Sequence, residues 1–170
     1  TQVLLPLATA VSRFTSDLPV VVIHNFNRGR PPANERVTAF FQVFEPGTNG
    51  ITVLTNAPVM TSRAGISVRG SSTEGMPKAS LRVEFRDEFD EDRRVSFLGM
   101  PEEGDWVMYG PNAFEPVLIH NPFMHDLSRA IGRYSPRTRL CEVYLVTSGT
   151  NQVQSASYNG VYVAMDRIEV

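Results

Sequence analysis

Lysine is nearly missing from this sequence, because Lys78 is the single lysine among 16 basic residues. The 18 acidic residues bring the formal net charge to −2. This balance excludes a general nucleic-acid binder, which would carry a basic excess on one face. A lone lysine can result from drift in composition. It can also mark a place where a compact point charge is needed and the planar arginine fork would not fit.

Cysteine and long apolar runs are equally scarce. Cys141 is the only cysteine, so no disulfide can form within the chain. It lies in the apolar stretch RLCEVYLV, which favours a small buried side chain over a nucleophile. No apolar run approaches the roughly 18–20 residues that a membrane span requires, and no signal peptide is visible. The sequence starts without Met and ends inside a strand-like stretch, so we interpret it as a piece of a longer protein.

A chain of 170 residues predicts a single domain, and its apolar stretches predict mostly β-strands. Residues 1–17 carry no strong pattern and are predicted to be a lead-in segment to a domain over 18–170. The predicted strands are 18–26, 37–45, 51–56, 64–70, 78–85, 105–110, 139–147 and 160–170. The Pro-Gly and Asn-Gly pairs in 46–50 favour a hairpin between the second and third of these strands.

One helix is predicted after Asn121, which serves as the N-cap, with Pro122 at the first helical position. Gly132 ends this helix as a left-handed cap. Its apolar side chains recur on one face, namely those of Phe123, Leu127, Ala130 and Ile131. The predicted fold class is therefore α+β: a mostly antiparallel β-sheet with one main helix packed on it.

The turn RGSSTEG, residues 69–75, joins two predicted strands and is the main candidate site. Glycine allows close backbone approach, and turn N–H groups with Ser and Thr hydroxyls can cradle an anion such as phosphate. Lys78 begins the next strand and could reach phosphate oxygens as a mobile charge. Neither a Walker A motif nor the GxGxxG of ordinary protein kinases is present. On these residues alone, a flexible hairpin turn remains the alternative.

The other titratable residues form no recognised catalytic or metal-binding motif. The histidines lack the spacing of a metal site, and no Ser/His/Asp or Cys/His signature occurs. Glu115 and Asp126 are candidate partners for Lys78, because a carboxylate on a helix behind the sheet commonly orients a phosphate-binding lysine. A surface charge is the alternative for either carboxylate.

Three stretches together resemble the CotH kinase family of atypical, protein-kinase-like proteins, which is named for a spore-coat protein and includes secreted Ser/Thr kinases. The stretches are ISVRGSSTEGMPKASLRVEF, VSFLGMPEEGDWVMYGPNAFEPVLIHNPFMHDLSRAIGRYSPRTRLCEVYLV and YNGVYVAMDRIEV. Five family motifs match in order and spacing from about residue 63 to 170, and LPVVVI (18–23) matches the strand that opens many such domains. The variant RYxxRTRxCEVYL looks most like bacterial CotH-like domains embedded in large exported proteins.

The resemblance implies the ATP-facing N-terminal lobe of a protein-kinase-like fold, in an extracellular or cell-surface protein. Lys78 would be the family's phosphate-binding lysine. The cofactor-binding residues implied are Arg69, Gly70, Ser71, Ser72, Lys78, Glu115 and Asp166. ATP and Mg²⁺ are the implied cofactors, and the implied partners are an unidentified protein substrate and a C-terminal lobe of the same polypeptide.

Catalysis of phosphoryl transfer requires one aspartate that positions the acceptor hydroxyl and another that holds Mg²⁺. In the CotH kinase family these residues lie downstream, in the second lobe. We therefore expect the chain to be truncated before that lobe, to contain no catalytic residue or metal site, and to bind nucleotide without catalysing transfer.

Four positions depart from the family pattern. Glu115 replaces an aspartate, His120 an arginine, Asp166 a glutamate and Ala79 a second lysine. The exchanges between Asp and Glu keep the charge but change its reach, whereas losing the arginine removes a permanent cation. These departures leave a second function open, that of a pseudokinase or structural module that scaffolds a surface assembly without phosphoryl transfer. A ligand-binding β domain with no nucleotide role is a third, least favoured interpretation.

Overall fold

The computed structural model describes residues 5–147, 149 and 152–167, and the regular structure in them is almost entirely β. The strands are β1 (Thr15–Ser16), β2 (Val20–His24), β3 (Val37–Phe44), β4 (Thr52–Val53), β5 (Met60–Arg69), β6 (Ser80–Arg86), β7 (Asp105–Tyr109), β8 (Thr138–Val146) and β9 (Tyr158–Asp166). The helices are α1 (His120–Ala130) and two single 3-10 turns, Val11–Arg13 and Ser155–Ser157. The end of the last predicted strand, residues 168–170, lies outside the described residues.

Seven strands close into a barrel in the order β2-β3-β5-β6-β7-β9-β8. Neighbouring strands are antiparallel except for β2 and β8, which run parallel and complete the ring. The two short strands β1 and β4 form a separate antiparallel ribbon. Closure pairs the edges that an open sheet would leave exposed.

The barrel interior is filled by side chains that alternate along each strand. In β6, Leu81, Val83 and Phe85 are buried in the core, whereas Arg82 is exposed on the outer face. Phe97, which follows β6 in an irregular segment, also belongs to this core. Its ring contacts three other aromatic rings edge-on, with centroids 5.3–6.4 Å apart. Aromatic packing therefore closes the space inside the ring of strands.

Strand β2 is buried along its whole length because it is covered on both faces. Val21 and Ile23 face the barrel core, whereas Val20 and Val22 belong to a second apolar cluster on the outer side. That cluster includes Val11 from the segment before the barrel. The continuous apolar pattern of this strand is thus explained by two separate partners.

The predicted α+β fold, a kinase-like N-terminal lobe with one main helix packed on a sheet, is wrong. Helix α1 has no buried residue, and its predicted core side chains are exposed to solvent, Phe123 by 61% and Leu127 by 44%. Helical periodicity shows that one face is apolar, but it does not show which way that face points. The sheet also has no inner face left for a helix, because it curls into a barrel filled by its own side chains.

The predicted hairpin between 37–45 and 51–56 is also wrong. Strand β4 pairs with β1, while β3 lies between β2 and β5. The glycine turn does reverse the chain, since the Gly50 N–H donates to the Gly47 carbonyl at 2.9 Å. Turn chemistry predicts such a reversal, but the choice of strand partner depends on which edges the rest of the fold occupies.

The ends of helix α1 agree in part with the sequence pattern. The helix begins at His120 with Ile119 as the N-cap, so Pro122 lies within the first turn, where its missing N–H is not needed. Gly132 has a φ of +79° and its N–H donates to the Arg129 carbonyl, which confirms the predicted left-handed C-terminal cap.

Candidate functional site

A cavity of about 500 Å³ lies on the outer face of the barrel, beside the N-terminal half of α1. Residues of β5, β6, β7 and β9 form its floor and sides, and Asn121 and His125 contribute from the helix. We call it the arginine cavity, because Arg69, Arg82 and Arg167 line it.

The three guanidinium groups come together through strand pairing. Arg69 ends β5 opposite Ser80, and Arg82 lies two positions further along the same outer face of β6. Arg167 directly follows β9. Burial lowers the pKa of Arg69, and repulsion from Arg82 and Arg167 lowers it further. Among the described residues, no carboxylate forms an ion pair with Arg69 or Arg82.

The acidic groups of the arginine cavity already have partners. Asp105 accepts from Arg36 at 3.3 Å and from Arg167 at 3.1 Å. An Asp166 oxygen accepts the backbone N–H of Arg137 at 2.8 Å. The positive charge of Arg69 and Arg82 is therefore not balanced by these carboxylates, which leaves the cavity suited to an anion.

Apolar and hydroxyl groups complete the lining. Val107 and Met165 belong to a small apolar cluster on the outside of the barrel. Buried Ser80 accepts the Gly110 N–H through its hydroxyl oxygen at 3.1 Å, so its own proton remains available for donation. The cavity thus combines cationic, hydroxyl and apolar surfaces, as small-molecule sites commonly do.

The turn after β5 also borders the arginine cavity through Gly70 and Thr73. Gly70 has a φ of +108°, and an added Cβ would lie 2.3 Å from the Thr73 hydroxyl oxygen. Only glycine therefore fits this position. The Arg30 guanidinium holds the far side of the turn by donating to the Glu74 carbonyl and, at 2.7 Å, to the Met76 carbonyl.

Lys78 lies apart from the arginine cavity, at the end of the barrel where β6 begins. Its ammonium donates to the Val161 carbonyl and lies 5.0 Å from the centre of the buried Tyr162 ring. Burial lowers its pKa, whereas Glu142 raises it. Gly160 lies beside the ammonium and has a φ of +89°, a backbone conformation that favours glycine.

The predicted carboxylate partners of Lys78 bind other groups. Buried Glu115 accepts the Tyr109 hydroxyl and, at 3.1 Å, the backbone N–H of His120 at the start of α1. Burial and the neighbouring Glu115 raise the pKa of Tyr109 to about 12. Asp126 pairs with Arg129 on the helix. Glu115 thus joins β7 to the positive end of the helix.

The residues assigned to cofactor binding from the family resemblance are divided between several places. Arg69, Gly70 and Asp166 line the arginine cavity. Ser71 and Ser72 are exposed in the turn and do not line the cavity. The binding role of these residues stays a prediction.

Arg82 and Arg167 line the same cavity but were missed by the sequence reasoning. The alternation in 78–85 does place Arg82 on the polar face, which was a usable signal. No pattern identified Arg167, since it reaches the cavity only because β9 pairs with β7.

A family model described as CotH kinase protein matches residues 66–170, which is more than half of the chain. The matched region contains the turn, α1 and four barrel strands, and it includes all three cavity arginines. No curated protein matches the chain. Within the described part of the chain, no helix is long and apolar enough to cross a membrane.

Proposed function

Because the chain belongs to the CotH kinase protein family, we propose that it is the nucleotide-binding part of a CotH-like protein kinase. The observation that carries this proposal is the pair Arg69 and Arg82, which share a cavity with Arg167 and lack acidic partners among the described residues. Arginine forks bind phosphate oxygens in pairs and keep their charge at any physiological pH.

The residues of the arginine cavity fit a nucleoside triphosphate. Its volume of about 500 Å³ is in the range of small-molecule sites, roughly 300–1,000 Å³. Arg69 and Arg82 would hold phosphate oxygens, and Ser80 would donate a hydrogen bond. Val107 and Met165 offer an apolar surface for the base. ATP would supply the phosphoryl group, and these side chains would bind and orient it.

Phosphoryl transfer is assigned to a larger catalytic unit. It requires aspartates that hold Mg²⁺ and position the acceptor. The described residues contain no group of three or more His, Cys, Asp or Glu placed to hold a metal ion. We assign nucleotide binding to this chain, and Mg²⁺ would arrive with ATP. A Ser or Thr of an exported or cell-surface protein is the acceptor that the resemblance suggests.

A thermal-unfolding titration with Mg²⁺–ATP tests this function. A ligand at 100 times its Kd stabilises the fold by about 2.7 kcal/mol, which corresponds to roughly 5–10 °C for a chain of this size. The double variant Arg69→Gln/Arg82→Gln should bind ATP at least about tenfold more weakly, because it loses charge-assisted hydrogen bonds. Exposed Arg93, which lies outside the cavity, gives the matched control Arg93→Gln.

Equal ATP affinity in the double variant and the control would disprove the assignment of the arginine cavity. Absence of any ATP-dependent stabilisation of the wild-type chain would favour the second function, a pseudokinase or scaffolding module. One observation supports that alternative: Glu115 binds Tyr109 and the His120 N–H, and forms no ion pair with Lys78.

A further inference from the structure

Helix α1 presents its apolar face to solvent. Eight of the thirteen exposed large apolar side chains in the described residues fall within one stretch, 114–134. We call them the apolar helix surface: Phe114, Val117, Ile119, Phe123, Met124, Leu127, Ile131 and Tyr134. Patches of this kind on soluble domains mark interaction sites.

The opposite, polar face of α1 contacts the segment that directly follows the helix. His125 hydrogen-bonds the Ser135 hydroxyl at 2.7 Å through Nδ1. Arg129 donates to the Pro136 carbonyl and pairs with Asp126. At the start of the helix, Glu115 accepts the His120 N–H. His125 also lines the arginine cavity on the barrel side, so the polar face of α1 points toward the barrel and the apolar face points to solvent.

The apolar helix surface approaches the size of a protein interface. Its members are 44–76% exposed. Three members are aromatic side chains, which carry roughly 150–250 Å² each, and five are aliphatic, so at these exposures the surface presents several hundred Å². A standard interface buries about 800 Å² on each partner.

The spacing of the central residues makes this surface complementary to itself. Phe123, Leu127 and Ile131 are four residues apart and therefore lie in one row along the helix. In an antiparallel pair of helices with Leu127 at the two-fold axis, Phe123 of each copy meets Ile131 of the other. The antiparallel arrangement also opposes the two helix dipoles favourably.

We propose that the apolar helix surface is a docking site for a second copy of this chain, with two α1 helices antiparallel about a two-fold axis. Isologous pairing of this kind is the commonest way in which soluble proteins associate. The proposal rests on the exposed face of α1 and does not depend on nucleotide binding.

Sedimentation equilibrium of the full chain over a wide concentration range tests the proposal. The wild type should shift from 18.9 kDa to twice that mass as concentration rises. Leu127→Glu should weaken association at least about tenfold, because it buries two carboxylates at the axis. Val59, which is equally apolar and 65% exposed elsewhere, gives the control Val59→Glu, which should still dimerise. Circular dichroism checks that both variants remain folded.

Oxidative cross-linking tests the geometry separately. Leu127→Cys should form an intermolecular disulfide, because residue 127 meets its own copy at the axis, whereas Val59→Cys should not. Cys141 is buried and will not interfere.

A wild-type chain that stays monomeric up to about 1 mM overturns the proposal. The proposal is also overturned if Leu127→Glu dimerises as strongly as the wild type, or if the wild type forms assemblies larger than a dimer. Binding of the chain to lipid vesicles without self-association would overturn it as well.

Discussion

At the scale of single residues, the lone lysine has a structural explanation. The Lys78 ammonium donates to the Val161 carbonyl beside the Tyr162 ring and lies next to Gly160. A guanidinium is wider and planar, so it would not fit the same space with the same contacts. Lys78 does not line the arginine cavity, and its phosphate-binding role stays a prediction.

Lys78→Met should lower stability and leave ATP affinity unchanged within about twofold. The substitution removes a charged donor from the Val161 carbonyl and should cost about 1–3 kcal/mol. Urea denaturation measures this loss, and ATP titration of the folded variant measures affinity. A Lys78→Met protein that is as stable as wild type but no longer binds ATP would support the phosphate-binding role predicted for this lysine.

Part of the candidate site could be predicted from single residues. The turn directed attention to Arg69 and Gly70, both of which border the arginine cavity. Predicting that Arg82 joins them would have required the register between β5 and β6, which pairs Arg69 with Ser80. Register depends on the whole sheet, so residue types alone do not provide it.

At the scale of structural elements, the turn between β5 and β6 is specified by one glycine. Gly70 combines a φ of +108° with a near contact to Thr73, whereas Gly75 in the same turn has open space around it. An added side chain at Gly70 would therefore meet both an unfavourable backbone conformation and a steric clash. At Gly75 it would meet open space.

Gly70→Ala should destabilise the protein by about 1–3 kcal/mol and weaken ATP binding, because the turn borders the arginine cavity. Gly75→Ala is the matched control and should change stability by no more than about 0.5 kcal/mol. Denaturant midpoints and ATP titrations of both variants make the comparison. Equal midpoints for the two variants would contradict the turn geometry.

Strands were easier to predict than their partners. The alternation of 78–85 and the continuous apolar run of 18–26 identified β6 and β2, since each pattern follows from which faces are buried. The hairpin after β3 was mispredicted because local turn residues do not say which strand is adjacent. The direction of the apolar face of α1 was missed for a similar reason, since it is set by contacts made on the other side of the helix.

At the scale of the whole molecule, one irregular segment helps to hold the barrel together. Phe97 lies outside any strand, yet its buried ring packs against Phe41, Phe85 and Trp106, which come from three different strands. Removing this ring would open a cavity in contact with all three.

Phe97→Ala should therefore lower the free energy of unfolding by about 3–5 kcal/mol. Phe89→Ala is the control, because the Phe89 side chain is 76% exposed and should contribute no more than about 0.5 kcal/mol. Chemical denaturation measures the loss of stability in each variant. Tryptophan fluorescence can follow the unfolding, since Trp106 is in the affected cluster. Similar losses in the two variants would show that Phe97 is not a core residue.

Closure of the barrel also governs how quickly the protein can fold. The parallel pair places Val20 beside Glu142, two positions that are far apart along the chain. During synthesis the first barrel strand therefore cannot complete its pairing until β8 has left the ribosome. Proteins rich in such distant contacts fold in milliseconds to seconds. A chaperone that shields β2 during that interval would protect the nascent chain from aggregation.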